Sequence, residues 1–557
     1  MPTPGYAHAS PQPKQGEKML QNRLNIYGLI RWNWQPLGHL ALFATALLPA
    51  LASAAPVTRP NILYIISDNQ PSALLGAYGN PDVKTPNLDT LAAQGMRFDG
   101  LFAVNGMCSP TRATIMTGLM PSQHGVHNWL EDHQMDNWPA DWNAINEFRT
   151  LPRTLRDAGY QTGLIGKWHL GQPRQRPSGI DHWVTFSVGH TVDFWDNKVI
   201  DNGREYAVQG QHIVDFFTDK AVDYLDKVDG EEPFFLMVTY DGPYLNPPTN
   251  MGPARNRFYE QYRDQPLASF PVERINEEIL KQISGPDPGS DYHTAEEVKN
   301  HFQYNYVRMN ADPATRANIA SQNTLVDDGV GRLLDALDRN HLDENTIVIY
   351  TTDQGNFYGQ HGFWGHAMTP FPARPYDVVM NIPLIIRHPD KIPAGSENRD
   401  LIGQYDLAPT IIELAGINNI NLENSPGKSF AELTRKASSK APWRDAIFFE
   451  QEETRAIRTR DYAYWKRLDG TGHHSLFDLK KDPEQLNDVF GDPEYEKISQ
   501  QLDHQLDAFF RQYSTAEYDL WKGGTVKGSV PRPWVYRELY GDDWRPTTEA
   551  KPAFYKQ

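Results

Sequence analysis

Short, uninterrupted apolar runs alternate along this chain with longer stretches whose apolar positions recur at helical spacing. Residues 61–67 (Asn-Ile-Leu-Tyr-Ile-Ile-Ser) are apolar on both faces of an extended chain and rich in branched side chains, which predicts a strand buried on both sides. Residues 161–165, 233–239, 346–352 and 382–387 share that character. Helical patterns separate them: 85–95, with Pro86 at the first helical position; 111–118; 150–159, closed by a glycine; and the long amphipathic stretch 318–340. This alternation predicts an α/β fold, a mostly parallel central sheet with helices on both faces. Ligands of such sheets bind beyond the carboxyl ends of the strands. Asp68-Asn69 and Asp353-Gln354 directly follow two of the predicted strands.

The pattern changes near residue 426. Four short runs, 446–450, 454–459, 462–467 and 475–478, predict an antiparallel sheet, and a helix over 495–513 follows. A smaller C-terminal α+β domain over 426–513 is therefore expected after a main domain over 55–425. The extension 514–557 is rich in Pro, Gly and Trp and lacks periodicity. Its Trp521, Trp534, Tyr536 and Trp544 either pack the tail on the body or stack on sugar rings. At the other end, Arg23 and Arg31 precede an apolar run from Leu37 to Ala52 and the small residues Ala52-Ser53-Ala54. Residues 1–54 thus read as a signal peptide, and the protein as exported, periplasmic or secreted. The run is short for a membrane span and no later run is longer, so no stable membrane insertion is expected.

With 39% hydrophobic and 22% charged residues, the 557-residue chain has the composition of a globular protein. Its net charge is -17; the first 54 residues hold four basic and one acidic residue, so the remainder carries 49 against 69, or -20. Such a surface repels nucleic acid and other polyanions at long range, so an anion site must be a local basic pocket. Cys108 is the only cysteine, which rules out an internal disulfide. A lone cysteine often acts as a small buried hydrophobe. Cys108, however, lies in the polar segment Asn105-Gly106-Met107-Cys108-Ser109-Pro110-Thr111-Arg112, a setting for chemistry. Asp68, Asn69, Asp353 and Gln354 offer only oxygen donors, the set that hard cations such as Ca²⁺ or Mg²⁺ prefer. As caps of the helices that follow, the same residues would need no metal.

The C-x-P-x-R core at Cys108, Pro110 and Arg112, followed by Ala113-Thr114-Ile115-Met116-Thr117-Gly118, resembles the type I, formylglycine-dependent sulfatases of the alkaline-phosphatase superfamily. Gly159-Tyr160-Gln161-Thr162-Gly163-Leu164-Ile165-Gly166-Lys167-Trp168-His169-Leu170-Gly171 is similar to that family's second signature. The resemblance implies an alkaline-phosphatase-like fold and hydrolysis of an aryl or carbohydrate sulfate ester. A maturation enzyme would oxidise Cys108 to formylglycine, whose hydrate attacks sulfur. Asp68, Asn69, Asp353 and Gln354 would hold Ca²⁺, or Mg²⁺. Arg112 would hold the formylglycine side, Lys167 would contact sulfate, and His169 would orient the nucleophile. Three positions depart from the family pattern. Asn69 stands where most relatives carry a second Asp. Tyr244 stands where they carry the histidine that protonates the leaving group. His366 stands where they carry a sulfate-binding lysine. His366 is thus open to two roles, sulfate ligand alone or sulfate ligand and acid. A phosphodiesterase or phosphonate monoester hydrolase of the same superfamily, and an inactive sulfated-glycan-binding homologue, are the competing readings.

Overall fold

Buried along its whole length, the Asn61–Ser67 strand is the axis of the fold. The computed structural model describes residues 59–554 apart from 192, 246–248, 255, 278–279, 281–301, 368–371, 419–421, 436–441, 471–473 and 531, so the expected signal peptide lies outside the described residues. The strand belongs to a ten-stranded sheet, in the order Ser396–Asn398, Met96–Phe98, Leu384–Arg387, Thr346–Thr352, Asn61–Ser67, Phe234–Thr239, Gln161–Gly166, His182–Phe186, Asp196–Asp201 and Arg204–Gln209. The five strands from Thr346–Thr352 to His182–Phe186 are parallel. Leu384–Arg387 runs antiparallel to both neighbours, and the Asp196–Asp201 and Arg204–Gln209 strands close the far edge as an antiparallel ribbon. The sheet is therefore mixed, with its parallel part at the centre, where the site lies.

Successive side chains of a strand point to opposite faces, and each face here has its own core. Ile62, Tyr64 and Ile66 pack with Ala113, Ile115 and Met116 of the Cys108–Thr117 helix and with Leu151 and Leu155 of the Leu151–Asp157 helix. Leu63 and Ile65 pack with Leu88 and Leu91 of the Pro86–Gln94 helix, Phe216 and Phe217 of Ile213–Leu225, and Val326 and Val330 of Pro313–Arg339. Each fully buried side chain of this kind contributes about 1.5–3 kcal/mol, so the sheet centre is the least deformable part of the molecule. Among the described residues no helix is long and apolar enough to cross a membrane.

Ala446–Gln451, Thr454–Thr459, Tyr462–Arg467 and Ser475–Asp478 form the expected antiparallel sheet. The Glu496–Tyr513 helix lays Leu502, Leu506 and Phe510 on Ile457, Tyr464 and Leu476, and Val104, Met120 and Tyr405 of the main body enter the same core. The tail continues onto the body: Thr515 N donates to Ser122 O at 3.1 Å and Trp521 Nε1 to Glu452 O at 2.8 Å. Tyr536 and Trp544 are buried with ring centroids 4.7 Å apart, so both pack the tail; Trp534 is half-buried. Buried Arg455 joins sheet to tail, donating to Glu450 Oε1 at 2.6 Å and Asp519 Oδ1 at 2.8 Å. Arg455→Met takes the shared cation from two buried carboxylates and is expected to cost about 3–5 kcal/mol. A clear fall in the thermal-unfolding midpoint checks this; an unchanged midpoint contradicts it.

Candidate active site

Register sets the site. Ser67 pairs with Thr352, Ile66 with Thr239, and Thr239 with Gly166, so four adjacent parallel strands end at one level. Just past those ends come Asp353, Asp68, Asp241 and Lys167. Backbone bonds carry the ladder a step further: Asp353 N to Ser67 O at 3.2 Å, Asp68 N to Gly242 O at 3.1 Å and Lys167 N to Thr239 O at 2.8 Å. The approach is so close at Gly166 (φ +125) that a Cβ would lie 1.9 Å from Thr239 O, which only glycine avoids.

Cys108 opens the Cys108–Thr117 helix, its Sγ 4.0 Å from Asp68 Oδ1 and 3.3 Å from Gln354 Nε2. Arg112, four residues on, shares its helix face. Its Nε is 3.0 Å from Asp353 Oδ2 and its Nη2 3.1 Å from Asp68 Oδ2, while Nη1 donates to Lys167 O at 2.8 Å. Lys167 Nζ lies 2.5 Å from Asp68 Oδ2, 3.4 Å from Asp241 Oδ1 and 4.5 Å from the Tyr244 ring centroid. Asp68, Cys108 and Asp353 bring donor atoms within 4.8 Å of one another. Asn69 N donates to Asp353 Oδ1 at 3.3 Å, and Asn69 Oδ1 accepts from Gln354 Nε2 at 2.6 Å. Among the described residues the buried Asn69 Nδ2 has no hydrogen-bond partner, so this amide pair is not fully satisfied there. Two buried carboxylates and two amides in one cluster fit a hard divalent cation.

Burial pushes the Asp68 carboxyl up, but Lys167 and Arg112 outweigh it and hold the group below the usual carboxylate range. Asp353, with burial and the Asp68 charge acting together, is pushed up to about 6. Burial likewise pushes the Cys108 thiol up to about 12, against the opposing pull of Lys167, so unmodified Cys108 is a protonated, weak nucleophile at neutral pH. Burial lowers Lys167, yet Asp68 and Asp241 more than reverse this and keep it charged.

Histidines gather beside this cluster. His169 has a left-handed backbone (φ +55), and its Nε2 lies 2.9 Å from Leu130 O. His190 stacks on His169 with centroids 5.3 Å apart and planes at 4°, and meets Tyr244 edge-on at 5.7 Å and 80°. His366, 4% exposed, follows the Trp364–Gly365 strand; among the described residues its Nε2 has no hydrogen-bond partner, and burial pushes the imidazole down to about 4 against the pull of Asp68. His124, His127 and His361 serve packing. His124 Nδ1 accepts from Val126 N at 3.1 Å, His127 Nε2 lies 2.9 Å from Tyr518 O, and His361 stacks on Tyr376 at 3.9 Å.

The family model of sulfatases matches residues 60–417, which hold every one of these strand ends and the Cys108 helix. The chain belongs to the sulfatase family. A second model, of the N-sulphoglucosamine sulphohydrolase C-terminal region, matches residues 359–512, through the antiparallel sheet and its helix. An N-acetylglucosamine-6-O-sulfatase of Bacteroides thetaiotaomicron is 28% identical over 86% of this chain and 92% of its own length. An ulvan-active sulfatase of Formosa agariphila is 27% identical over 81% of this chain and 80% of its own. A protein solved in complex with its substrate, D-glucosamine-2-N,6-O-disulfate, superposes with a TM-score of 0.64 at 26% identity, covering 82% of this chain and 98% of that one. This sulfatase is a sulfuric ester hydrolase with the superfamily's mixed central sheet and C-terminal antiparallel sheet.

Cys108, Arg112, Lys167, Asp68, Asn69, Asp353 and Gln354 all meet in one buried cluster at the strand ends, with His169, Tyr244 and His366 near it. Sequence reading passed over two residues. Asp241 follows a buried apolar strand just as Asp68 and Asp353 do, and that signal was available. His190 sits in a loop between the His182–Phe186 and Asp196–Asp201 strands, within no recognisable motif.

Proposed function

We propose that this sulfatase desulfates a saccharide, using formylglycine made from Cys108 by a maturation enzyme and a Ca²⁺ or Mg²⁺ ion held by Asp68, Asn69, Asp353 and Gln354. The observation that carries the reading is the Cys108 side chain at the mouth of a buried cluster of two carboxylates, Arg112 and Lys167. Hydrated formylglycine supplies an oxygen nucleophile that accepts the sulfuryl group and then releases it by returning to the aldehyde. A hard cation held by Asp68, Asn69, Asp353 and Gln354 would polarise the sulfate oxygens and favour the ionised nucleophile. Arg112 holds both carboxylates in place, Lys167 neutralises sulfate charge, and His169, fixed through Leu130 O, orients the nucleophile. His366, whose Nε2 has no hydrogen-bond partner among the described residues, would contact the sulfate, and Tyr244 covers Lys167. A saccharide substrate is favoured because the relatives above are named for, or solved with, sulfated sugars or an algal polysaccharide. Export to the periplasm or beyond fits the run from Leu37 to Ala52.

Purified, metal-loaded protein offered a panel of sulfated mono- and disaccharides, an aryl sulfate and matched phosphate esters is expected to release sulfate from at least one sugar. Preferential cleavage of phosphate diesters would shift the reading to a phosphodiesterase. Binding of a sulfated sugar without turnover, in protein bearing formylglycine, would shift it to a glycan-binding homologue.

A further inference from the structure

We propose that His190 is the catalytic acid that protonates the departing sugar oxygen. The inference rests on the sulfate-ester reading above. A sugar alkoxide is a poor leaving group, so its departure needs a proton delivered in the transition state. The donor must face the substrate side of the pocket, because the leaving oxygen points away from the sulfate and towards the sugar. The other candidate donors are all buried. Lys167 is tied to Asp68 at 2.5 Å and covered by the Tyr244 ring. His169 is buried and bonded to Leu130 O. His366 is 4% exposed and lies within electrostatic reach of Asp68 and Lys167. His190 is only half-buried, so its ring meets both the pocket and solvent. Stacking on His169 and edge-on contact with Tyr244 put that ring one layer outside Lys167. It also lies within electrostatic reach of Asp241 and His366, on the two sides of the pocket.

The loop around His190 is built to hold it. Thr191 N donates to Asp241 Oδ2 at 2.6 Å, and the Thr191 hydroxyl to Asn197 Oδ1 at 2.9 Å. Asn197 Nδ2 donates back to Asp193 O at 2.6 Å, and Trp195 N to Asp193 Oδ1 at 2.6 Å. Asp241, placed by the sheet, thus serves two sides at once, pairing with Lys167 and clamping the segment that carries His190. A reacting group held by bonds on its neighbours keeps the geometry that proton transfer demands. The step balances as follows. Sulfur would bond to a hydroxyl oxygen of the hydrated formylglycine at Cys108 as its bond to the sugar oxygen breaks, and the electron pair of the broken bond goes to the sugar oxygen. That oxygen takes a proton from a ring nitrogen of protonated His190, leaving a sugar alcohol and neutral imidazole. Water returns the proton before the next turnover.

The test compares His190→Ala and His190→Gln with wild type, each with its formylglycine content measured, on a sugar sulfate and on nitrophenyl sulfate. Nitrophenolate leaves without a proton. Both variants are expected to lose ~10²–10⁴-fold in kcat/KM on the sugar sulfate and less than about threefold on nitrophenyl sulfate. Binding of the sugar sulfate to the metal-loaded Cys108→Ala protein, measured by calorimetry, is expected to change less than about threefold on adding His190→Gln. Equal losses on both substrates, or a lost sugar affinity that accounts for the whole effect, would overturn the proposal and leave His190 a binding or packing residue. A substrate-selective loss in His366→Ala with none in the His190 variants would also overturn it and give the role to His366. A wild type that releases sulfate from no ester would instead overturn the function on which the proposal rests.

Discussion

Replacing Cys108 by alanine is expected to lower turnover of any sulfate ester by roughly 10⁴-fold or more, the scale of losing a covalent nucleophile. The geometry leaves no substitute. Cys108 opens the helix against the Asp68–Asp353 pair, and the other hydroxyls on that turn are engaged: Ser109 Oγ accepts from Leu130 N at 3.0 Å, and Thr111 Oγ1 bonds with Met107 O, Cys108 O and Gln354 Oε1. Unmodified thiol would itself serve poorly, since burial keeps it protonated. Active protein should therefore carry the aldehyde, seen as a Cys108 peptide about 18 Da lighter than the cysteine form. Cys108→Ser separates nucleophilic attack from release. A serine oxygen has no second hydroxyl on its carbon to expel sulfate, so a single turnover is expected to leave the protein about 80 Da heavier. Full multiple turnover by Cys108→Ala, or by protein whose Cys108 is wholly unmodified, would end this account.

Strand by strand, the centre of the fold was legible and the edges were not. Residues 61–67, 233–239 and 346–352 are apolar along their middles because neighbours cover both faces, and that is what an apolar run records. Asp196–Asp201 and Arg204–Gln209 lie at the rim with one face wet, and Ser396–Asn398 spans three residues, so none forms an apolar run. Strand direction left no mark: Leu384–Arg387 is as apolar as its parallel neighbours yet runs against them. The Ile213–Leu225 helix did carry a signal, with Ile213, Phe216, Phe217, Ala221 and Leu225 on one face, and it was passed over. The C-terminal sheet was legible because its short strands alternate between turns and pair with their neighbours in sequence. In the site, residues bound to contiguous motifs were readable. His190 was not, because only the folded sheet brings its loop beside Tyr244 and His169, which lie 54 and 21 residues away in the chain.

Removal of the divalent cation is expected to abolish turnover, and Ca²⁺ or Mg²⁺ to restore it. Buried together are the carboxylates of Asp68, Asp353 and Asp241 and the cations of Arg112 and Lys167, a formal charge of -1 before any substrate arrives. A sulfate ester brings a further negative charge into that cluster, and without a metal only Arg112 and Lys167 oppose it. The cation's effect should extend to stability. A ligand held at 1,000 times its Kd stabilises the folded state by about 4 kcal/mol, so the chelated protein should unfold at a visibly lower temperature than the loaded one. Asn69 sharpens the test. Its amide gives an oxygen but no charge, and Asn69→Asp should tighten the metal roughly tenfold or more, since a third anionic donor joins Asp68 and Asp353. The same change adds a fourth carboxylate to the metal-free cluster, where it is repelled by Asp68, Asp353 and Asp241. Metal-free Asn69→Asp is therefore expected to unfold below metal-free wild type, and the loaded variant to gain more from the metal than loaded wild type does. Calorimetric titration and thermal scans of the four states measure both shifts. Undiminished activity in metal-free protein would remove the cation from the site, and unchanged affinity in Asn69→Asp would remove Asn69 from the ligand set.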